Sequence, residues 1–127
     1  MVQFQTIPSA GGTAIDELAW ADEQDVLIAV TCAPFREEVV TAVKVAREQG
    51  LTIVAISDSA SAPIMRIADH AFLVADETPQ FFPSSVATIA LLETLLSFVI
   101  ARADEKIIDR VEAFHKRRHQ LGIYHND

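Results

Sequence analysis

Three short stretches gather side chains suited to holding an anion. They are Thr31-Cys32-Ala33-Pro34-Phe35-Arg36, Ser57-Asp58-Ser59-Ala60-Ser61 and Asp76-Glu77-Thr78, each just past an apolar run. The first two put hydroxyls ahead of a helix start, where unpaired backbone N–H groups and the helix dipole favour negative charge. Arg36 would add a fixed guanidinium able to grip a phosphate through two parallel hydrogen bonds. A plainer use exists for the same residues. Ser and Thr commonly cap helices, and Arg36 has Glu37, Glu38 or another surface acid to pair with. The phosphate-loop pattern ending in GK[ST] is absent, as is GxGxxG, and four glycines leave little room for either.

Catalytic groupings are sparse. The chain has no HExxH, GxSxG or CxxC. Cys32 follows a strand and precedes a helix, a setting that can lower a thiol pKa. It is otherwise a small structural residue, because His70, His115, His119 and His125 reach it only through the fold. Glu93 is the sharper oddity: one carboxylate inside an apolar helix needs a partner, a ligand or water. It is a candidate acid/base or ligand contact, or the polar spot where that helix meets solvent.

The elements that must position these residues read as alternating strands and helices. Val26–Val30 and Leu51–Ile56 are continuous and rich in β-branched residues, the pattern of parallel strands covered on both faces. Ala71–Ala75 predicts a third strand, and the weaker alternation of Val2–Ile7 an edge strand. A helix between the first two has Pro34 near its first turn, then Glu37 and Glu38, an apolar stripe of Val39, Val40, Val43 and Ala46, and Gly50 past its end. Strand, helix and strand make a βαβ unit with a right-handed crossover. Thr13 and Asp16 resemble a capping box opening a short helix over 13–21. Ser61-Ala62-Pro63 opens another through Ala68, and Pro83-Ser84-Ser85 a long one over Val86–Ala101. The long helix is apolar around nearly its whole circumference, so it must be buried on every side. In a chain this short, that points to a subunit interface as well as core. A last helix over 104–121 carries Ile107, Ile108, Val111, Phe114 and Leu121 on one side and ends in Lys116, Arg117, Arg118 and His119, cations that suit a helix C-terminus. In open parallel sheets ligands bind beyond the strand carboxyl ends, which are the three stretches named first.

At 127 residues the chain has the size of one domain, and its apolar half is ample for a core. A net charge of −8 disfavours direct contact with nucleic acid. One cysteine rules out an internal disulfide framework and any cysteine-rich zinc site, and suits a reducing compartment. With no targeting segment and no span of membrane length, a cytoplasmic protein is expected.

The ordered segments resemble the sugar isomerase (SIS) domain, and more narrowly the sugar-phosphate-sensing part of RpiR-type transcription regulators. The residues that carry the likeness are Asp25–Thr31, Pro34-Phe35-Arg36-Glu37-Glu38-Val39-Val40, Ala46-Arg47-Glu48-Gln49-Gly50, Val54–Ile64, Ile67-Ala68-Asp69-His70 and Phe81-Phe82-Pro83-Ser84-Ser85-Val86-Ala87. The resemblance implies a flavodoxin-like, three-layer αβα sandwich on a parallel sheet. It also implies a dimer formed through helices. By position it makes Thr31–Glu38 the phosphate loop and Ser57–Ser61 the second binding loop. Isomerase members favour Ser-x-Ser-Gly-x-Thr-x-Glu in the first loop, where this chain has Thr31, Ala33, Pro34, Arg36 and Glu38. The Pro34-Phe35 pair suits the regulator branch. The family also opens with a strand, a turn and a helix that nothing before Val2 supplies, so the chain is expected to be N-terminally truncated relative to the family. A gap in the sheet, a rearranged first strand or an edge completed by another subunit would follow.

The leading expectation is a single-domain sensor of phosphorylated sugars within an RpiR-type regulator. Thr31, Arg36, Ser57, Ser59 and Ser61 would hold the ligand, without metal or cofactor. A homodimer or higher homo-oligomer would form through the 84–101 helix, with no nucleic acid or membrane contact by this chain. An aldose–ketose phosphate isomerase using Glu93 or a histidine is the enzymatic alternative. A degenerate domain kept only for dimerisation is the third.

Overall fold

A computed structural model describes residues 4–75, 77, 84–103 and 105–123. Phe4–Thr88 forms one compact unit, and the residues from Ile89 onward belong to a second. The first holds α1 (Ala14–Leu18), β1 (Val26–Thr31), α2 (Glu37–Glu48), β2 (Thr52–Ser57), α3 (Pro63–Ile67) and β3 (His70–Leu73). The long α4 (Val86–Ala101) starts at its end, and α5 (Glu105–Gln120) lies in the second unit.

The strands form a parallel sheet in the order β1-β2-β3. Register follows the sequence pattern: Leu27 stands opposite Ile53, Ala29 opposite Ala55 and Thr31 opposite Ser57. α2 and α3 pack on this sheet, with Leu18, Ala29, Val40, Val43, Ala46, Leu51, Ile53, Ala55 and Ile64 as their shared core. α2 ends where the sequence says it should, with Gly50 at φ +84° just past Gln49. That left-handed conformation strains any residue with a Cβ and comes without cost to glycine. Thr13 caps α1 by accepting the Asp16 N–H, as its spacing predicts.

Several boundaries differ from expectation. α1 ends at Leu18, short of Ala21, and β3 ends at Leu73. Pro34 lies outside α2, whose N-cap is Arg36. The edge strand expected over Val2–Ile7 is not formed by residues 4–7, and Val2 and Gln3 lie outside the described residues. A strand persists only against a partner, and among the described residues the sheet has no strand beside β1 except β2. β1 also departs from the pattern of a strand covered on both faces. Leu27, Ala29 and Thr31 face inward, whereas Val26, Ile28 and Val30 remain 59%, 39% and 37% exposed. Likewise α4 is apolar as expected but leaves Val86, Ile89, Phe98, Val99 and Ile100 exposed, and Thr88 is its one buried residue. Among the described residues no single helix is long and apolar enough to cross a membrane.

One long-range contact fastens the first unit. The Asp69 carboxylate accepts the Ile53 N–H at 2.8 Å and the Arg47 guanidinium at 2.8 Å, so it joins β2, the end of α2 and the approach to β3. The Ile53 N–H bond first, and the Arg47 bond second, hold its pKa below the usual carboxylate value. A carboxyl with a lowered folded-state pKa stabilises the fold above its unfolded pKa, and loses that contribution as pH falls through the folded value. Asp69→Asn is therefore expected to melt several degrees below the wild type at pH 7. The gap should close as the pH falls below about 4. Thermal melts across that range check it; a gap that stayed constant with pH would assign the effect to packing instead.

Candidate functional site

The parallel register puts the carboxyl ends of β1 and β2 side by side. Thr31 and Ser57 are both buried and stand opposite each other at the last register position. Both loops flagged by the sequence therefore leave one edge of the sheet. The crossover through α2 requires this, because parallel neighbours must start and finish at the same ends.

The loops are joined directly. The backbone N–H of Ala33 donates to Asp58, at 3.2 Å to Oδ1 and 3.3 Å to Oδ2. The Ser57 hydroxyl donates to Asp58 Oδ1 at 3.3 Å and accepts the Ser59 N–H at 3.4 Å. Ser59 and Ser61 pair through their hydroxyls at 2.8 Å, and the Ser61 N–H donates to Ser59 Oγ. Ser59 is half-buried and Ser61 exposed, so these hydroxyls are reachable from solvent. Ser57 is sealed off, and its carbonyl accepts the Val74 N–H at 2.9 Å. Its part is to shape the second loop.

Arg36 occupies the N-cap of α2 with an extended backbone and makes no side-chain cap. Its guanidinium is exposed and lies 3.3 Å from Glu38 Oε1. This is the surface pairing its neighbours make available, and exposed pairs of this kind hold weakly enough to exchange for a better anion. Cys32 is half-buried and forms no disulfide. Among the described residues no group of three or more His, Cys, Asp or Glu is arranged to hold a metal ion.

The remaining candidates belong to other elements. Glu93 is exposed on α4, and its backbone carbonyl accepts the Ser97 hydroxyl. His70 is exposed at the start of β3, and His115 and His119 sit on α5. Asp76 and Thr78 of the third loop, Phe81-Phe82-Pro83 and His125 lie outside the described residues. The residue that sequence reasoning passed over is Asp58. Its only signal was an acid set between two serines in a loop at a strand end, which says nothing of its bond to a residue 25 positions earlier. The sheet end thus brings together the Ser57, Ser59 and Ser61 hydroxyls, the Ala33 N–H and the Asp58 carboxylate, while the Arg36 guanidinium is seen only against Glu38.

The comparisons with known proteins bear on the family and the fold. The family model of the SIS domain matches residues 2–98. None of the curated proteins matches. Among solved structures the chain is similar to the sugar isomerase domain of the RpiR transcription factor from Sphaerobacter thermophilus, with a TM-score of 0.72 and 28% identity. That match covers 84% of this chain and 60% of the other, so the chain spans about three fifths of that relative's length. A hypothetical protein shares the fold at a TM-score of 0.56 and 19% identity, over 71% of this chain and 55% of its own.

Proposed function

From the premise that this chain belongs to the SIS domain family, we propose that it is the sugar-phosphate-sensing domain of an RpiR-type transcription regulator. The reading is supported chiefly by one observation. Two hydroxyl-bearing loops leave the same sheet edge and are tied together there, Thr31 opposite Ser57 and Ala33 bonded to Asp58. Backbone N–H groups near the start of α2, the Ser59 and Ser61 hydroxyls and an Arg36 released from Glu38 would hold the phosphate. The sugar would lie outward of the loops. Ligand binding would change how paired subunits sit, and the pair would form through the 84–101 helix. Contact with DNA would be left to other parts of such a regulator, since a net charge of −8 opposes it here. Its place would be the cytoplasm, where the lone Cys32 stays reduced.

Calorimetry with a panel of sugar phosphates tests the reading. One or more should bind with a Kd between micromolar and millimolar. Ser59→Ala with Ser61→Ala should weaken that binding at least about tenfold, as expected for removing hydrogen bonds to a charged group. The pair should leave the melting temperature nearly unchanged, because these hydroxyls satisfy mainly each other and local backbone. Failure of every sugar phosphate to bind at millimolar concentration would overturn the proposal.

A further inference from the structure

We propose that the Asp58 carboxylate is a built-in competitor for the anion site, and that a phosphate enters by displacing it from the Ala33 amide. The inference rests on the sensor reading above and deepens it by saying how occupancy is controlled. Ala33 belongs to the first loop and Asp58 to the second, 25 residues on. Their hydrogen bond thus closes across the strand ends and not within one turn. A peptide N–H has one hydrogen to give. While both Asp58 oxygens share that hydrogen, a phosphate oxygen gains full use of it only by displacing them. The carboxylate also brings negative charge to the place where an anionic ligand would sit, and like charges at such range repel.

The contact is built to exchange. Its two distances, 3.2 and 3.3 Å, lie at and just beyond the long end of the hydrogen-bond range, and so does the Ser57 hydroxyl bond to the same carboxylate at 3.3 Å. Asp58 is only half-buried, so its side chain has solvent to turn into. Ala33 is exposed, which leaves its N–H within reach of an incoming ligand. When the phosphate takes the Ala33 amide, the tie between the loops is cut. Binding at the first loop is thereby felt by the second, and through it by the start of α3. No covalent step is involved; one acceptor replaces another on the same donor.

The test titrates inorganic phosphate and a hexose 6-phosphate into the full chain, comparing wild type with D58A and D58N by calorimetry. D58A should bind phosphate about tenfold tighter than wild type, equivalent to about 1.4 kcal/mol. D58N keeps a neutral acceptor for the Ala33 N–H and should fall between the two. A general field effect is screened at high salt, so the D58A advantage should persist in 0.5 M sodium chloride if displacement is the cause. The Ala33 amide resonance should move when phosphate is added to the wild type. Equal or weaker binding by D58A, an advantage that vanishes at high salt, or an unmoved Ala33 resonance would each remove the competitor while leaving the sensor reading in place. Absence of binding by all three proteins would instead sink the sensor reading, and this inference with it.

Discussion

Replacing Ile53 by alanine is expected to cost the Phe4–Thr88 unit about 3–4 kcal/mol, a large part of the stability a unit of this size possesses. Ile53 is fully buried in the middle strand, packed in the core that α2 and α3 share. Its backbone N–H is the one that Asp69 accepts, so the cavity would open beside the contact fastening β2 to α2. Urea unfolding should show the loss as a lower midpoint with an unchanged slope. Ile28→Ala on the same sheet provides the comparison. Ile28 stands on the opposite side of β1 and is 39% exposed, so the variant should lose less than about 1 kcal/mol. Should the two variants lose equal stability, the outer face of β1 must be covered in solution.

A second large effect is expected at α4. Sixteen residues with one carboxylate, and with Phe98, Val99 and Ile100 exposed, present more apolar surface than a lone chain normally leaves in water. If a second copy covers this helix, sedimentation should give twice the chain mass of 13.9 kDa. Leu96→Lys with Ile100→Lys would put two charges one turn apart into that seam, and burying an unpaired charge is strongly unfavourable. Association should weaken at least about a thousandfold, an expected loss of about 4 kcal/mol, leaving single chains at micromolar concentration. The circular dichroism of the sheet-containing unit should survive. A wild type that sediments as one chain would end the interface proposal, and so would a double variant that remains dimeric.

The parts of this architecture legible in the sequence were those fixed by local chemistry. Val26–Val30 and Leu51–Ile56 announce strands through unbroken β-branched runs, and Val86–Ala101 is bounded as read. Gly50 marks the end of α2 because only a glycine takes its conformation freely. The convergence of Thr31 and Ser57 followed from parallel pairing and is seen in the register. What escaped was whatever depends on a distant partner. Asp69 lies 16 residues from Ile53 and Asp58 lies 25 from Ala33, and no periodicity encodes either bond. The strand read at Val2–Ile7 had acceptable alternation, but alternation cannot supply a neighbour. Burial of α4 was inferred from hydropathy alone, which says that a surface must be covered and not by what.

The outer side of β1 carries a liability of its own. Val26-Leu27-Ile28-Ala29-Val30 is uncharged, lacks proline and glycine, and among the described residues pairs with β2 alone. Such a ribbon is a template on which further ribbons stack into cross-β fibrils, held back here by the acids Glu23 and Asp25 just upstream. The polypeptide should accordingly be hardest to keep dispersed near its isoelectric point, about pH 4.8, where the net charge vanishes and colloidal repulsion between copies fades.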